Sequence, residues 1–309
     1  MPTLLDWLLA AYPETPKTRA KQWIAAGRVR VNGVIIRQPN RPMPEPRGTL
    51  ELLDRRAAAL NCGPNGWPIH PLLALLHLDT ALVVVNKGPG LLSTPAQLGD
   101  LSALGLIGDF VAGRLRTRYS VPAAYRRLQP LPVHRLDQFT SGVFCMAMNP
   151  RAREMLIDQL QTHAMKREYI AYVEGCPSQP TGTWRNWLKL STDELRQLVA
   201  GKSSADAVEA ITHYDVLAKF PSAGAAKLRL RLETGRKHQI RVQAAHAGIP
   251  LIGDHTYNPK GRIDFPRQAL HAEVLSLEHP AIPRALSTWT ATLPPDLRQL
   301  EAALQSAPR

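Results

Sequence analysis

Between residues 228 and 233, leucine and charge alternate without a break: Leu228-Arg229-Leu230-Arg231-Leu232-Glu233. A period of two puts every leucine on one face of an extended strand and every charge on the other. Such a strand belongs to a sheet packed on one side and wet on the other, which is the habit of antiparallel sheets. Thr234-Gly235 ends it. Ile240, Ala244 and Ala247 then mark a helix that stops at Gly248, with Pro250 just beyond. Upstream, Tyr169 to Val173 alternates as another strand, and Ala81 to Val85 reads as an apolar one. Leu104, Ile107, Val111 and Leu115 predict a helix within 101–118, with Arg114, Arg116 and Arg118 towards its C-terminus, where cations suit the helix dipole. Asn149-Pro150 opens a further helix with Met155, Leu156 and Leu160 on its buried side. Short strands mixed with helices and long loops give an α+β fold with a mixed, largely antiparallel sheet.

The chain has 309 residues, enough for two unequal units with cores of their own. Residues 1–54 form a small α/β module. Leu4, Leu5, Leu8 and Leu9 surround Trp7 at helical spacing. Thr15-Pro16 starts a second helix that runs from Lys17 to Ala26 and stops at Gly27. Val29, Val31 and the Asn32-Gly33 turn then predict a hairpin. Residues 55–75, with Asn61-Cys62-Gly63-Pro64-Asn65-Gly66, read as a linker. Residues 76–309 form the large domain.

The formal net charge of +13 points to a polyanionic partner, nucleic acid or an acidic membrane surface. No apolar run approaches the roughly 18 residues a spanning helix needs, so a membrane is not expected. The N-terminus has no basic segment before its apolar stretch and no cleavage site, unlike a signal peptide. Cys62, Cys145 and Cys176 are scattered, without CxxC spacing, which argues against a zinc site and a disulfide framework and fits a reducing cytoplasm. His134, His238 and His271 are too widely separated to suggest a metal site. On the small module, Lys17, Arg19, Lys21, Arg28, Arg30, Arg37 and Arg41 cluster with little acid nearby. They are either a solvated face or a phosphate-binding patch.

One carboxylate stands out. Asp137 lies in Val133-His134-Arg135-Leu136-Asp137-Gln138-Phe139-Thr140-Ser141-Gly142-Val143, on a short turn between apolar stretches. On the residues alone, an Asp beside an Arg is commonly a structural ion pair. The whole string resembles the HRLDxxTSG signature of the RluA-type pseudouridine synthases. Four further blocks follow that family's order. Leu82 to Leu91 resembles its strand and Lys-Pro turn, with Lys87-Gly88-Pro89-Gly90 a mild departure. Lys166 to Gly175 is similar to its K-x-Y-x-A-x-V-x-G strand. Leu232 to Arg241 matches L-x-T-G-R-x-H-Q-I-R, and Leu270-His271-Ala272 with Glu278-His279-Pro280 resembles the closing strand. In the small module, Thr18 to Gly33, with its G-R-V-x-V-N-G core, resembles an S4 RNA-binding domain.

The resemblance implies an isomerase that breaks the N–glycosidic bond of a uridine in RNA, turns the base and joins its C5 to the ribose. It implies Asp137 as nucleophile, whether by attack at C1′ or through a glycal, with Arg241 as the paired cation and Tyr169 stacked on the base to handle the C5 proton. Arg135 would fill the stack left by a flipped uridine. His134, Ile240 and Lys87 would help to hold the substrate, and Lys17, Arg19, Lys21, Arg28 and Arg30 would hold RNA phosphates. Isomerisation needs no cofactor, so none is expected. The partner is then RNA, foremost ribosomal RNA of the large subunit, and the chain a cytoplasmic monomer without metal. Transfer RNA is an alternative target. A catalytically silent RNA-binding protein of the same fold is a second alternative. A hydrolase acting on nucleosides or glycosides fits less well, because such enzymes usually use two carboxylates.

Overall fold

A computed structural model describes residues 2–25, 27–32, 34–43, 49–52, 60–62, 66–119, 121–122, 125–282 and 284–308. Ala26 and Gly33 of the expected helix end and hairpin turn, and residues 55–59 and 63–65 of the expected linker, lie outside the described residues.

The N-terminal module builds a small core from α1 (Leu4–Ala11), α2 (Lys17–Ala25) and a three-stranded antiparallel sheet of β1 (Val29–Val31), β2 (Val34–Ile35) and β3 (Leu50–Leu52). Thr3 and Asp6 form a reciprocal capping box at the start of α1. Leu4, Leu5, Leu8, Ala20, Ile24, Val29 and Val31 are buried together, so the helical spacing read from the leucines is the packed face.

The large unit is one twisted sheet. In chain order its strands are β4 (Leu60–Asn61), β5 (Trp67–His70), β6 (Leu73–Leu78), β7 (Leu82–Lys87), β8 (Leu131–Pro132), β9 (Ser141–Ala147), β10 (Lys166–Glu174), β11 (Thr181–Leu190), β12 (Gln197–Ala200), β13 (Val208–Phe220), β14 (Ala225–Leu232), β15 (Leu270–Glu278) and β16 (Leu286–Thr290). The spatial order is β12-β11-β13-β14-β10-β15-β9-β7-β6-β4, with β5, β8 and β16 on the flanks. Among the described residues every strand pair is antiparallel except β9 with β15. The linker expected over 55–75 is therefore too long. β4, β5 and the start of β6 belong to the sheet, because Trp67, Pro68 and His70 pair with Leu75, Ala74 and Leu73.

The remaining helices are α3 (Ala103–Ala112), α4 (Pro150–Gln161), α5 (Gln239–His246) and α6 (Pro295–Ser306). Ser102 caps α3, and Gly113 ends it at φ 76°, so Arg114, Arg116 and Arg118 lie beyond the helix rather than in its last turn. The apolar spacing continued past a glycine that terminates the helix. Asn149 and Pro150 start α4 as expected. Ala152 and Leu156 are buried, but Met155 is turned to solvent.

The central strands are buried on both faces. Val83 and Val85 of β7 enter one core while Leu82 and Val84 enter the other. β14 is half-wet, as its alternation required: Leu228 and Leu230 are fully buried. Arg229 and Arg231 reach Glu168 and Asp215 on the outer face.

The crossing of β9 and β15 fixes the loop that precedes β9. His271 and Ala272 pair with Ser141 and Gly142, and Gly142 has φ 119°. A Cβ there would lie 2.1 Å from the Ala272 carbonyl oxygen. The glycine of Thr140-Ser141-Gly142 is thus demanded by two backbones in near contact. Gly142→Ala should lower stability by more than about 3 kcal/mol, because a backbone clash adds to the strained φ. Gly90→Ala, at φ 91° with nothing within 4 Å of the added Cβ, should lose only about 1–2 kcal/mol. Urea unfolding of the two variants checks the difference.

Candidate active site

Asp137 sits on the loop between β8 and β9, and this loop is tied down on both sides. Lys87, fully buried at the end of β7, donates from Nζ to the carbonyls of Gly88 (3.0 Å), Leu91 (2.9 Å) and Gln138 (2.8 Å). The Ser93 hydroxyl donates to the Leu136 carbonyl and accepts from the Leu136 amide. From the other side, Arg267 donates to the carbonyls of Phe139 and Leu270 while paired with Asp296 at 2.7 Å. The His271 ring joins Ala291 to Ser141: Nε2 donates to the Ala291 carbonyl, which leaves Nδ1 to accept from the Ser141 hydroxyl at 2.9 Å.

The carboxylate meets its cation at the start of α5. Arg241 Nη1 donates to Asp137 Oδ2 at 3.1 Å. The other edge of the guanidinium is held in a two-point fork by Asp254, from Nε at 2.7 Å and from Nη2 at 2.8 Å, and Nη2 also reaches Thr256 Oγ1 at 2.9 Å. Asp254 is completely buried and accepts two backbone amides besides, those of Thr256 and Tyr257. Burial opposes the charge on Arg241, but Asp254 and Asp137 outweigh it and push its pKa above the usual arginine value. The Tyr257 ring lies 5.2 Å from the guanidinium carbon. His238, at φ 53°, places Nε2 3.8 Å from Asp137 and Nδ1 3.2 Å from the Tyr257 hydroxyl. Burial lowers the pKa of His238 even though Asp137 pulls it upward, so the ring is neutral at physiological pH.

This constellation forms the wall of a cleft of about 1050 Å³. Asp137, Tyr169, Arg241, Arg135, His134 and Ile240 all line it. The Asp137 side chain is 17% exposed, so it is part desolvated yet open to the cleft. Tyr169 is buried in the middle of β10, beside a register shift between Glu168 and Tyr169. Burial pushes its phenol above the ordinary value, with Arg167 opposing and Asp137 reinforcing that shift. Arg135 is exposed at the rim. Ile240 is buried in the first turn of α5 and faces the cleft from there.

Two expected roles change. Lys87 is fully buried and does not line the cleft; it holds the Asp137 loop from behind rather than touching a substrate. His134 does line the cleft, but its Nε2 accepts the Cys145 amide at 3.2 Å and its ring stands edge-on to Phe144, so it is anchored in the wall. Burial depresses its pKa to about 3. On the N-terminal module, Lys17, Arg19 and Lys21 are exposed, while Arg19 and Arg28 lie over the Trp23 ring at 5.8 and 5.1 Å. Arg30 has more acidic compensation than the sequence suggested, since Glu51 comes within 3.7 Å from β3.

Asp254, Thr256, Tyr257 and Arg167 belong to the site and were not singled out from the sequence. Their signal was slight, because Asp254 follows Gly253 in a polar stretch that reads as an ordinary turn. Among the described residues, one group has metal-ligand chemistry, and it is none of the three histidines considered above. His77, Asp79 and His279 are buried together, with Asp79 Oδ2 3.1 Å from His77 Nε2 and 2.6 Å from His279 Nε2.

Known proteins give this cleft a family context. The family described as RNA pseudouridylate synthase matches residues 81–246, and the S4 domain matches residues 3–43. A Bacillus subtilis protein named an uncharacterized RNA pseudouridine synthase is 32% identical over 92% of this chain and 88% of its own length. The chain belongs to the RNA pseudouridylate synthase family. It is therefore an isomerase of uridine in RNA with an N-terminal S4 domain. A Xylella fastidiosa protein named ribosomal large subunit pseudouridine synthase D is 35% identical over 96% of the chain and 87% of that protein. The solved structure of human RNA pseudouridylate synthase domain containing 4 covers 75% of the chain and 92% of its own, at a TM-score of 0.58 and 22% identity, a likeness of fold. No helix among the described residues is long and apolar enough to cross a membrane.

Two outcomes follow from these contacts. Asp254→Asn should destabilise the enzyme by about 3–5 kcal/mol, because an amide NH₂ must face guanidinium donors and a buried cation loses its partner. Thermal and urea unfolding measure this. The buried ring of His271 has its pKa lowered to about 4. The unfolded chain takes up that proton near pH 6.5 and the folded chain only near 4, so stability should fall as pH drops through this window, by up to about 1.4 kcal/mol per pH unit. Urea midpoints at pH 7, 5.5 and 4.5 for the wild type and His271→Gln should show a shallower fall in the variant.

Proposed function

We propose that this enzyme isomerises uridines in large-subunit ribosomal RNA, with Asp137 acting at C1′, Arg241 keeping it ionised and Tyr169 handling the C5 proton. The observation that carries the reading is a single carboxylate, 3.1 Å from a guanidinium whose other edge is locked, open to a cleft large enough for a flipped nucleotide. Breaking N1–C1′ and making C5–C1′ asks for an anion at the sugar. A carboxylate in a part-dry site would drift towards its neutral acid without a cation beside it. Both the direct attack and the glycal route start from that ionised Asp137. Tyr169 shares the cleft, which favours catalysis over silent binding. Arg135, exposed at the rim, would stack where the flipped uridine had been.

The target class rests on the names of the Xylella relative and others like it, together with the S4 domain. Lys17, Arg19, Lys21, Arg28 and Arg30 would then hold phosphates of folded RNA. The enzyme would act as a monomer in the cytoplasm. His134 and Ile240 would shape the wall against the base.

Pseudouridine mapping of total RNA from cells with and without the gene tests the target. Sites that vanish should lie in large-subunit ribosomal RNA and return with the wild-type gene. Asp137→Asn keeps the shape of the side chain but removes the nucleophile. Turnover by the purified variant should fall at least about a hundredfold. Its affinity for the RNA should stay within about twofold, since most of that affinity comes from phosphate contacts. Loss only of transfer RNA sites on deletion would redirect the target and leave the chemistry standing.

A further inference from the structure

Arg167 is a buried cation without an anion. It stands at the start of β10, two residues before Tyr169, and both side chains line the cleft. It is 7% exposed, and among the described residues no carboxylate comes within ion-pair distance. Among the described residues its one hydrogen bond is long, 3.4 Å from Nη2 to the Glu233 carbonyl, and its Nε has no partner. Burying a guanidinium in this way is costly. The chain nonetheless makes room for it, since a Cβ on Gly235 would lie 2.4 Å from Nη1. That glycine has no positive φ to require it.

Two neighbours can become anions under the influence of this charge. The Cys145 thiol is sealed in the core behind the cleft, and burial pushes its pKa up to about 12. The Tyr169 phenol is the other, and it faces the substrate cleft. Carboxylates are the usual partners of a buried arginine.

We propose that Arg167 is a positioning residue whose charge stabilises a Tyr169 phenolate formed during isomerisation. The inference rests on the proposed role of Tyr169. Once C5 has joined C1′, the ring carries a hydrogen on C5 and a double bond between N1 and C6. Tyr169 gives its phenol proton to N1 and becomes a phenolate beside Arg167. The phenolate then takes the C5 proton. The C5–H electron pair becomes the C5–C6 double bond, and the N1–C6 π pair returns to N1 as a lone pair. Tyr169 ends as a phenol, and the net change is one proton moved from C5 to N1. Without Arg167 the phenolate would form beside Asp137 alone, whose negative charge opposes it.

The test uses the full-length enzyme and a transcript of large-subunit ribosomal RNA made with uridine deuterated at C5, under single turnover. Arg167→Met should slow isomerisation at neutral pH by about tenfold or more, raise the deuterium isotope effect and steepen the gain in rate towards alkaline pH. RNA affinity should not change. Arg167→Lys, which keeps the charge, should recover part of the rate. A Met variant with the wild-type rate, or a slow one whose isotope effect and pH profile match the wild type, overturns the proposal. A second measurement needs no turnover: a fluorinated tyrosine at position 169, titrated by fluorine NMR, should ionise at higher pH in the Met variant. An unshifted titration overturns the proposal whatever the activity. A wild-type enzyme that leaves uridine intact while the titration shifts would overturn the functional reading and leave the coupling standing.

Discussion

Arg241 is held between two carboxylates, and the geometry of the cleft follows from how unequal they are. Asp254 is completely buried, takes the Nε and Nη2 edge of the guanidinium, and is itself fixed by two backbone amides. Asp137 takes only Nη1 and remains part exposed. The buried acid therefore orients the cation, and the cation orients the acid that faces the cleft. A lone buried arginine would be costly, and a lone carboxylate in a part-dry cleft would tend towards its neutral form. Together the three groups carry one net negative charge, and it faces the cleft.

The same economy of burial explains the loop that carries Asp137. A turn between two strands would ordinarily be mobile. Here Lys87 ties three carbonyls together from behind, Ser93 meets both backbone groups of Leu136, and Arg267 and His271 brace the far end. Burial lowers the Lys87 pKa to about 7 while the nearby Asp137 pulls it back up. The lysine and Asp137 are thus linked electrostatically as well as through Gln138. Gly142 allows β9 and β15 to close on each other below this loop, at the only parallel pairing of the sheet among the described residues.

Buried histidines play a quieter part. His279 accepts the Ala281 amide at Nδ1, which leaves its Nε2–H for Asp79. Asp79 also takes the amides of Ala81 and Leu82 and lies beside His77. The group joins the β6–β7 turn to the segment after β15, with every Asp79 contact a donor to its oxygens. Burial alone would raise the Asp79 pKa, but these hydrogen bonds overturn that and hold the carboxyl well below its usual range. His134 and His271 act likewise as neutral posts, one in the cleft wall and one under the loop.

Local pattern in the sequence determined the strands, most of the helix starts and the position of the candidate carboxylate. The alternation at 228–233 required a half-wet strand, Asn149-Pro150 fixed a helix start, and the strings around Asp137, Tyr169 and Arg241 marked the chemistry because side-chain type is itself a local property. It also marked the S4 module, whose Leu4, Leu5 and Leu8 pack as their spacing required. What depended on contacts across the chain was decided only by the tertiary structure. Asp254 looks like a turn residue until the fold sets it against Arg241. Lys87 looks like a substrate contact until burial turns it towards three carbonyls. Trp67 to His70, inside the supposed linker, became β-strand because pairing energy comes from a partner strand, not from the segment's own composition. Arg167, the least conspicuous letter of its strand, gains meaning only because no carboxylate among the described residues pairs with it, and which groups meet in space is not written in a local sequence.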